Sequence, residues 1–475
     1  MFRFKASNCV FYAKHVAEHK EECMKSSRRT FLKQSALGVA GIAAGSMGLS
    51  AKSYGRILGA NERIAVGVVG FSDRARNALI PAFLHDAKEL NCEFLGVSDI
   101  WNRRREEGVS FLKEKTGSVV RMYRNNDELY ADKDVDAVII STADFQHALH
   151  AVEAADNKKH AYVEKPFAET MADNRLALKR VKESGIVFQI GSQRRSGPNY
   201  HAAAEFIQSG KFGDITMVEM SWNVNQPGRW RRPELVESIK ETDVDWRRYI
   251  LNRPYEPWDP RKYVEYRLFW PYSSGIPGQW MCHQIDTVHW FSGYQYPRSV
   301  VANGGLYVWK DGRSNYDTLT AVFDYGPVDN PKKGFQVVYS SRMHNSVGDV
   351  KEVYFSNGGE LNLDTNKVGP TGGLTERHAS AMGMKPFLLP EKNLSESSVK
   401  AETAAATGVD LMTSLHMRNW LECLRSGKET NGPVEAGYHH SIATIMTTAA
   451  LRTGSVVRFD AQRQEVLAYG KVFQY

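Results

Sequence analysis

Arg63-Ile64-Ala65-Val66-Gly67-Val68-Val69 followed by Gly70-Phe71-Ser72-Asp73-Arg74-Ala75 is the stretch that decides the fold. The first run is a short apolar strand and the second a turn. Residues 76–90 then place Leu79, Ile80, Phe83 and Leu84 at the spacing of one helical face. A strand, a glycine turn and a helix in that order suit a phosphate, because glycine permits the tight turn and the helix N-terminus carries partial positive charge. Gly70 fills the first position of the dinucleotide fingerprint. Ser72 and Ala75 stand at its second and third positions, so the motif is degenerate.

Working outward, residues 93–97 form a second strand that ends in Ser98-Asp99, a carboxylate where the hydroxyls of an adenosine ribose are expected. An acidic residue there favours NAD over NADP, although Arg103, Arg104 and Arg105 follow closely enough to reverse that choice. Residues 135–140 are nearly all apolar, as in a parallel strand buried on both faces. The turn Ser141-Thr142-Ala143-Asp144 leads into a helix carrying His147 and His150. Then come the run Ala161-Tyr162-Val163, the tripeptide Glu164-Lys165-Pro166, a helix over 170–184 and a last strand over 186–190. Strands alternating with helices predict a doubly wound parallel sheet, and the tripeptide falls at the strand ends where such sheets keep their ligand crevice.

The 475 residues suffice for two or three domains, and 42% hydrophobic with 24% charged residues is an ordinary globular composition. Residues 1–51 hold eight Lys/Arg against three Asp/Glu, which is +5 of the formal +7 and leaves only +2 for the remainder. Nucleic-acid binding therefore has no electrostatic footprint. Cys9, Cys23, Cys92, Cys282 and Cys423 show no metal-like spacing, so no metal is expected, and the three beyond the leader cannot build a disulfide framework.

Ser27-Arg28-Arg29-Thr30-Phe31-Leu32-Lys33 precedes a Gly/Ala-rich apolar stretch over 35–49 and Ser50-Ala51, which resembles a twin-arginine export signal. That stretch is too short and glycine-rich for a stable membrane span. The expected division is a leader over 1–51 with a start at Met24, a nucleotide-binding domain over 61–191, a second domain over 192–455 and a tail over 456–475. Periplasmic or otherwise exported placement follows. The route carries folded proteins, so an exported enzyme loads its cofactor inside and must hold it tightly.

In the second half, seven of the ten tryptophans fall between Trp222 and Trp290, among Arg229, Arg231, Arg232 and many tyrosines. Flat rings stack on sugar C–H faces, although most of these are expected to anchor loops. Alternating runs at 215–222, 300–308, 318–325, 335–341 and 350–356 predict an antiparallel sheet with one buried face. Residues 363–400 read as a loop, 409–425 and 439–451 as helices, and His439-His440 as a solvent or core pair.

These pieces together resemble the family of glucose-fructose oxidoreductase, inositol dehydrogenase and MocA (Gfo/Idh/MocA). The matching residues are the Gly70 turn, Asp99, Thr142 with His147, Glu164-Lys165-Pro166, Gly191-Ser192-Gln193-Arg194-Arg195, the segment from Gly278 through Gln279, Trp280 and His283 to Asp286, and a C-terminal helix around Asn419-Trp420. The resemblance implies an N-terminal Rossmann domain followed by a C-terminal domain with an open, mostly antiparallel sheet, and a homo-oligomer built through that sheet. It implies NAD, with NADP as the alternative, held by Gly70, Phe71, Ser72, Arg74, Asp99, Thr142, His147, Glu164 and Lys165. Lys165 and His283 would be catalytic, with Arg194, Gln279, Trp280 and Asp286 on a small carbohydrate substrate. One departure stands out: Gln279 occupies a position where active dehydrogenases of the family commonly carry aspartate, and an amide cannot take up a proton as a carboxylate does. Three readings stay open: an exported oxidoreductase of a sugar, polyol or glycoside hydroxyl; a redox-neutral glycosidase, lyase or epimerase of the same fold using transient oxidation; and a non-catalytic sugar-binding protein.

Overall fold

The structure is a computed structural model and describes residues 63–395 and 409–474. The leader expected over 1–51 lies outside the described residues. The first sheet contains β1 (Ile64–Val69), β2 (Cys92–Ser98), β3 (Arg121–Tyr123), β4 (Ala137–Ile140), β5 (His160–Val163) and β6 (Phe188–Ile190). Its order is β3-β2-β1-β4-β5-β6 and every pair is parallel, so the direction of winding reverses between β1 and β4. This is the doubly wound Rossmann order, in which the crevice opens at the C-terminal ends of the strands. Val66 and Val68 face one core and Ala65 and Val69 the other, which is why β1 shows no polar alternation.

The second sheet has eleven strands among the described residues. Its central members are β7 (Ile215–Asn223), β8 (Ser299–Gly305), β9 (Thr318–Tyr325), β10 (Phe335–Arg342) and β11 (Val350–Ser356), and only β7 with β10 is a parallel pair. The others are β12 (Gly359–Asn362), β13 (Lys367–Gly369), β14 (Lys392–Asn393), β15 (Val457–Asp460), β16 (Glu465–Ala468) and β17 (Lys471–Val472), in the order β14-β13-β12-β11-β7-β10-β9-β8-β15-β16-β17. Along β9, Leu319, Ala321, Phe323 and Tyr325 are buried while the alternate residues are not. The buried face packs on the helices Pro198–Gln208, Cys282–Ser292 and Val434–Thr453 to make the largest core.

Two segments differ from the sequence expectation, and the helix expected over 409–425 forms as read. Residues expected as a tail over 456–475 supply β15 (Val457–Asp460), β16 (Glu465–Ala468) and β17 (Lys471–Val472), because Val457 pairs with Val300 and extends the sheet. The stretch read as a loop contains β13 (Lys367–Gly369), a short helix Glu376–Ala381 and β14 (Lys392–Asn393). The helix Leu411–Ser426 packs back on the Rossmann sheet, where Met417, Trp420 and Leu421 share a core with Val66, Val68 and Phe83. No described helix is long and apolar enough to cross a membrane.

Candidate active site

The Gly70 turn is built as its residues dictate. Gly70 has φ +82°, and a Cβ there would sit 2.7 Å from Thr142 Cγ2, so both conformation and space require glycine. Ser72 replaces the second glycine of the fingerprint and acts as a helix cap: its Oγ accepts from Ala75 N at 3.2 Å and donates to Ser141 Oγ at 3.1 Å. The helix then opens with a π turn over Ala75–Leu79. N–H groups of a first turn have no intrahelical partner and offer themselves to an anion. Phe71 lines the cavity, with its ring buried against Phe111 and its N–H committed to Asp99 Oδ2 at 2.8 Å.

Asp99 receives a second bond from Trp101 N at 2.8 Å, while burial pushes its carboxyl up. Of the following arginines, Arg103 pairs on the helix surface with Glu107, Arg104 reaches Asp73 at 3.2 Å and Glu107, and Arg105 donates to the Asp99 carbonyl at 2.8 Å. Arg74 and Glu164 form a buried ion pair at 3.0 Å that ties the turn to the end of β5. His147 also serves as a brace, with Nδ1 2.8 Å from Pro166 O and Nε2 3.2 Å from Thr142 O. A neutral ring donates to only one of them, and the shorter contact is to Pro166. Thr142 Oγ1, by contrast, is buried and has no hydrogen-bond partner among the described residues.

Lys165 leaves the end of β5 and donates from Nζ to the main-chain oxygen of Gln279 at 2.8 Å. Burial holds its ammonium below the ordinary lysine range, against the opposing influence of Cys282, Glu164 and Asp144. Gln279 belongs to a second π turn, Pro277–Met281, that opens the helix Cys282–Ser292. Its side chain is held at both ends: Oε1 accepts from Arg267 Nε at 2.9 Å and Nε2 donates to Asp144 Oδ2 at 2.6 Å. Ser273 Oγ donates to the same Asp144 oxygen at 2.6 Å. Below this network burial pushes the Glu169 carboxyl up to about 8, helped by Asp144. Gly278 allows the approach, since a Cβ there would lie 2.6 Å from Ser274 Oγ and 3.0 Å from Glu169 Oε1.

His283 stands one turn past Gln279 and its ring lies 5.9 Å from Trp222. Burial, then the charges of Lys165 and Arg194, push its imidazole well below the ordinary value, so the ring is neutral. Arg194 pairs with buried Glu352 and lies over the rings of Tyr200 and Trp222. Trp280 stacks on Trp222 with 6.2 Å between centroids and 6° between planes.

One cavity of about 1120 Å³ joins these pieces. It runs from the Gly70 turn and Asp99, past Thr142, His147, Glu164 and Lys165, to Arg194, Gln279, Trp280 and His283. It exceeds the usual ~300–1,000 Å³ of a single-ligand pocket, leaving room for a dinucleotide and a second molecule. Asp286 is the expected substrate contact that the structure does not bring there. It sits behind the wall in a bidentate ion pair with Arg195, at 2.7 and 2.9 Å, that holds its carboxyl far below the usual range. Asp286 stands seven residues beyond Gln279, farther along the same helix, where Arg195 takes its carboxylate.

Several lining or supporting groups escape a sequence reading. Asp144 is visible only as a turn residue, and its link to Gln279 spans 135 positions. Tyr266 and Arg267 lie inside the aromatic and basic run without a distinguishing spacing. Of the seven tryptophans in that run, Trp222, Trp230 and Trp280 line the cavity. Trp246 and Trp258 pack with Tyr249 and Tyr263 and anchor loops, as expected for most of the run. Cys92, Cys282 and Cys423 are buried free thiols, and no three His, Cys, Asp or Glu among the described residues gather as a metal site.

Residues 64–192 match the model of the oxidoreductase family GFO_IDH_MocA, with an NAD-binding Rossmann fold. Inositol 2-dehydrogenase of Salmonella paratyphi B is 28% identical over 166 residues, which is 34% of this chain and 48% of that protein. The scyllo-inositol 2-dehydrogenase (NAD(+)) of Bacillus subtilis is 37% identical over 86 residues, 18% of this chain and 25% of the relative. The matches thus span about half or less of these curated relatives. The WlbA dehydrogenase of Bordetella pertussis, solved with NADH and UDP-GlcNAcA, superposes with a TM-score of 0.59 over 84% of this chain and 98% of that one, at 16% identity. Levoglucosan dehydrogenase, solved with NADH and levoglucosan, does so at 0.57 over 83% and 99%, at 14% identity. At such identities the likeness establishes a shared two-sheet fold. Residues 64–192 of this chain are accordingly similar to the NAD-binding Rossmann domain of the GFO_IDH_MocA oxidoreductase family.

Proposed function

We propose that this protein is an NAD-dependent oxidoreductase acting on a CH–OH group of a sugar, polyol or glycoside, with Lys165 and His283 managing the hydroxyl proton. The observation that carries the reading is the continuity of one cavity from the Gly70 turn to Lys165, His283 and the stacked Trp222 and Trp280. The residues fit a dinucleotide. Gly70 leaves room for close approach, Ser72 caps the helix whose first turn faces the crevice, Asp99 stands at the ribose position, and Thr142 keeps a buried hydroxyl without a partner among the described residues. Bound NAD+ supplies the acceptor for the hydride that leaves the alcohol carbon.

The remaining work falls to side chains. Removing hydride from a secondary alcohol requires a partner for the hydroxyl proton. Lys165 is oriented by the Gln279 carbonyl, and burial favours its neutral amine, which can take that proton. Neutral His283 offers one donor and one acceptor to substrate hydroxyls. Gln279 contributes orientation, its amide held between Arg267 and Asp144, and cannot take up the proton. The flat Trp280 face suits the C–H surface of a sugar ring.

The sequence Ser27-Arg28-Arg29-Thr30-Phe31-Leu32-Lys33 supports export by the twin-arginine route. It also favours a second reading, redox-neutral glycosidase, lyase or epimerase chemistry on a retained cofactor, since no fresh nucleotide is supplied outside. One experiment separates these readings. Purified protein is denatured and its released small molecules are identified, and intact protein is incubated with a sugar and glycoside panel with and without added NAD+. Retained nucleotide with stoichiometric NADH production supports the oxidoreductase. Product formed without net NADH supports the redox-neutral enzyme, whereas absence of nucleotide and of product leaves only sugar binding. Assembly through the second sheet is a further proposal, tested by light scattering.

A further inference from the structure

We propose that the substrate carries an anionic group, a uronate carboxylate, received by the free edge of the Arg267 guanidinium; the inference rests on the oxidoreductase reading and names its substrate class. The cavity wall between Gln193 and His283 contributes five arginines, Arg194, Arg229, Arg232, Arg248 and Arg267, and no carboxylate. The carboxylates of the lining come from the nucleotide half and from Asp410 at the start of a helix.

Three of these arginines are answered by protein carboxylates. Arg194 pairs with Glu352, Arg232 stands 3.7 Å from Asp73, and Arg248 reaches Asp127 at 2.7 Å. Arg267 is different. Its Nε is fixed by Gln279 Oε1 at 2.9 Å and its guanidinium lies 4.6 Å from the Tyr266 ring centroid, while its two Nη groups donate to no described residue. The head is therefore oriented and its outer edge left unspent, the arrangement that receives a carboxylate with two parallel bonds.

Gln279 acquires a purpose in this light. A carboxylate at that position would neutralise Arg267, whereas the amide holds the same geometry and leaves the charge in place. Asp144, the carboxylate that acts most strongly on Arg267, spends Oδ2 on Gln279 and Ser273. Arg229 lies 5.2 Å over Trp280, and burial together with the charges of Arg267 and Arg232 pushes its guanidinium down to about 10. Positive potential thus gathers beside the Trp280 and Trp222 faces on which a sugar ring would stack.

The test is titration calorimetry of nucleotide-loaded, full-length protein with D-glucuronate, D-glucose and D-glucose 6-sulfate. Glucuronate is expected to bind about tenfold or more tighter than glucose, as a charge-assisted pair of bonds provides, with the gap narrowing as salt rises. Arg267→Gln should bring glucuronate to the level of glucose, and Arg267→Lys should retain part of the preference because it keeps the charge without the fork. Unchanged nucleotide content in both variants verifies that they fold. Equal binding of glucuronate and glucose, or no binding by glucuronate, overturns the proposal, and tighter binding of the sulfate overturns the assignment to a carboxylate. Failure of the oxidoreductase reading shows separately, as wild-type protein purified without nucleotide.

Discussion

At the scale of single residues the site depends on where two groups are held. Lys165 is positioned by a main-chain carbonyl, so truncating it removes the proposed proton acceptor without loosening the wall. Lys165→Ala is expected to lower turnover by about 10²- to 10⁴-fold while purified protein keeps its nucleotide; a variant with unchanged turnover would refute the assignment. Because burial lowers the Lys165 pKa, oxidation should rise with pH and level off below 10.5, the ordinary lysine value, in a pH–rate profile. Gly70 is the second such residue. Gly70→Val places a branched side chain at positive φ against Thr142, and should cost about 1–3 kcal/mol of stability and deplete bound nucleotide, read by denaturation and by nucleotide content.

At the scale of elements, the site is the meeting of two chain reversals, the turn after β5 and the π turn that opens the helix Cys282–Ser292. That helix is held from behind by Asp286 and Arg195, which are 1% and 13% exposed at their side chains. Arg195→Ala leaves a buried carboxylate without its partner and is expected to destabilise the protein by about 3–5 kcal/mol in urea denaturation. A loss under ~1 kcal/mol would mean that the pair does not anchor the helix. Five of the six parallel strands and the helices near 76–90, 170–184, 409–425 and 439–451 were legible in the sequence because their apolar periods are local, whereas the three-residue β3 was too short to show one. The added strands β15 to β17 were not, since Val457 becomes a strand residue only by finding Val300. Asp286 misled for a related reason: sequence spacing put it near His283, and its carboxylate is taken by Arg195, 91 positions away in the chain.

At the scale of the whole molecule, the helix Leu411–Ser426 fastens the end of the chain to the Rossmann sheet. His416 does this with two bonds, Nε2 to Ile190 O at 2.8 Å and Nδ1 to Ser196 Oγ at 2.7 Å. Burial pushes its imidazole down to about 4, and that of His439 likewise, while His289 falls well below the ordinary value. A histidine whose folded value is depressed is neutral in the fold and takes up its proton on unfolding. Its stabilisation is complete above about pH 6.5 and is lost as pH falls toward 4. For His416 alone this amounts to about 3 kcal/mol by pH 4. The unfolding free energy of the wild type should therefore decline across that window, and His416→Gln should flatten the decline; an equal slope in the variant would reject His416 as a contributor.

The sequence by itself determined the parallel Rossmann half, the glycine turn, the position of Lys165 at a strand end and the placement of His283 one turn beyond Gln279. These are matters of local period and short spacing, which the backbone geometry of helix and strand converts directly into position. Only the tertiary structure decided that Gln279 is clamped between Asp144 and Arg267, that Asp286 belongs to Arg195, and which three tryptophans face the cavity. Those outcomes depend on pairings between residues far apart in the chain. Their energies come from desolvation and hydrogen bonding in a shared interior, which no spacing along the sequence encodes.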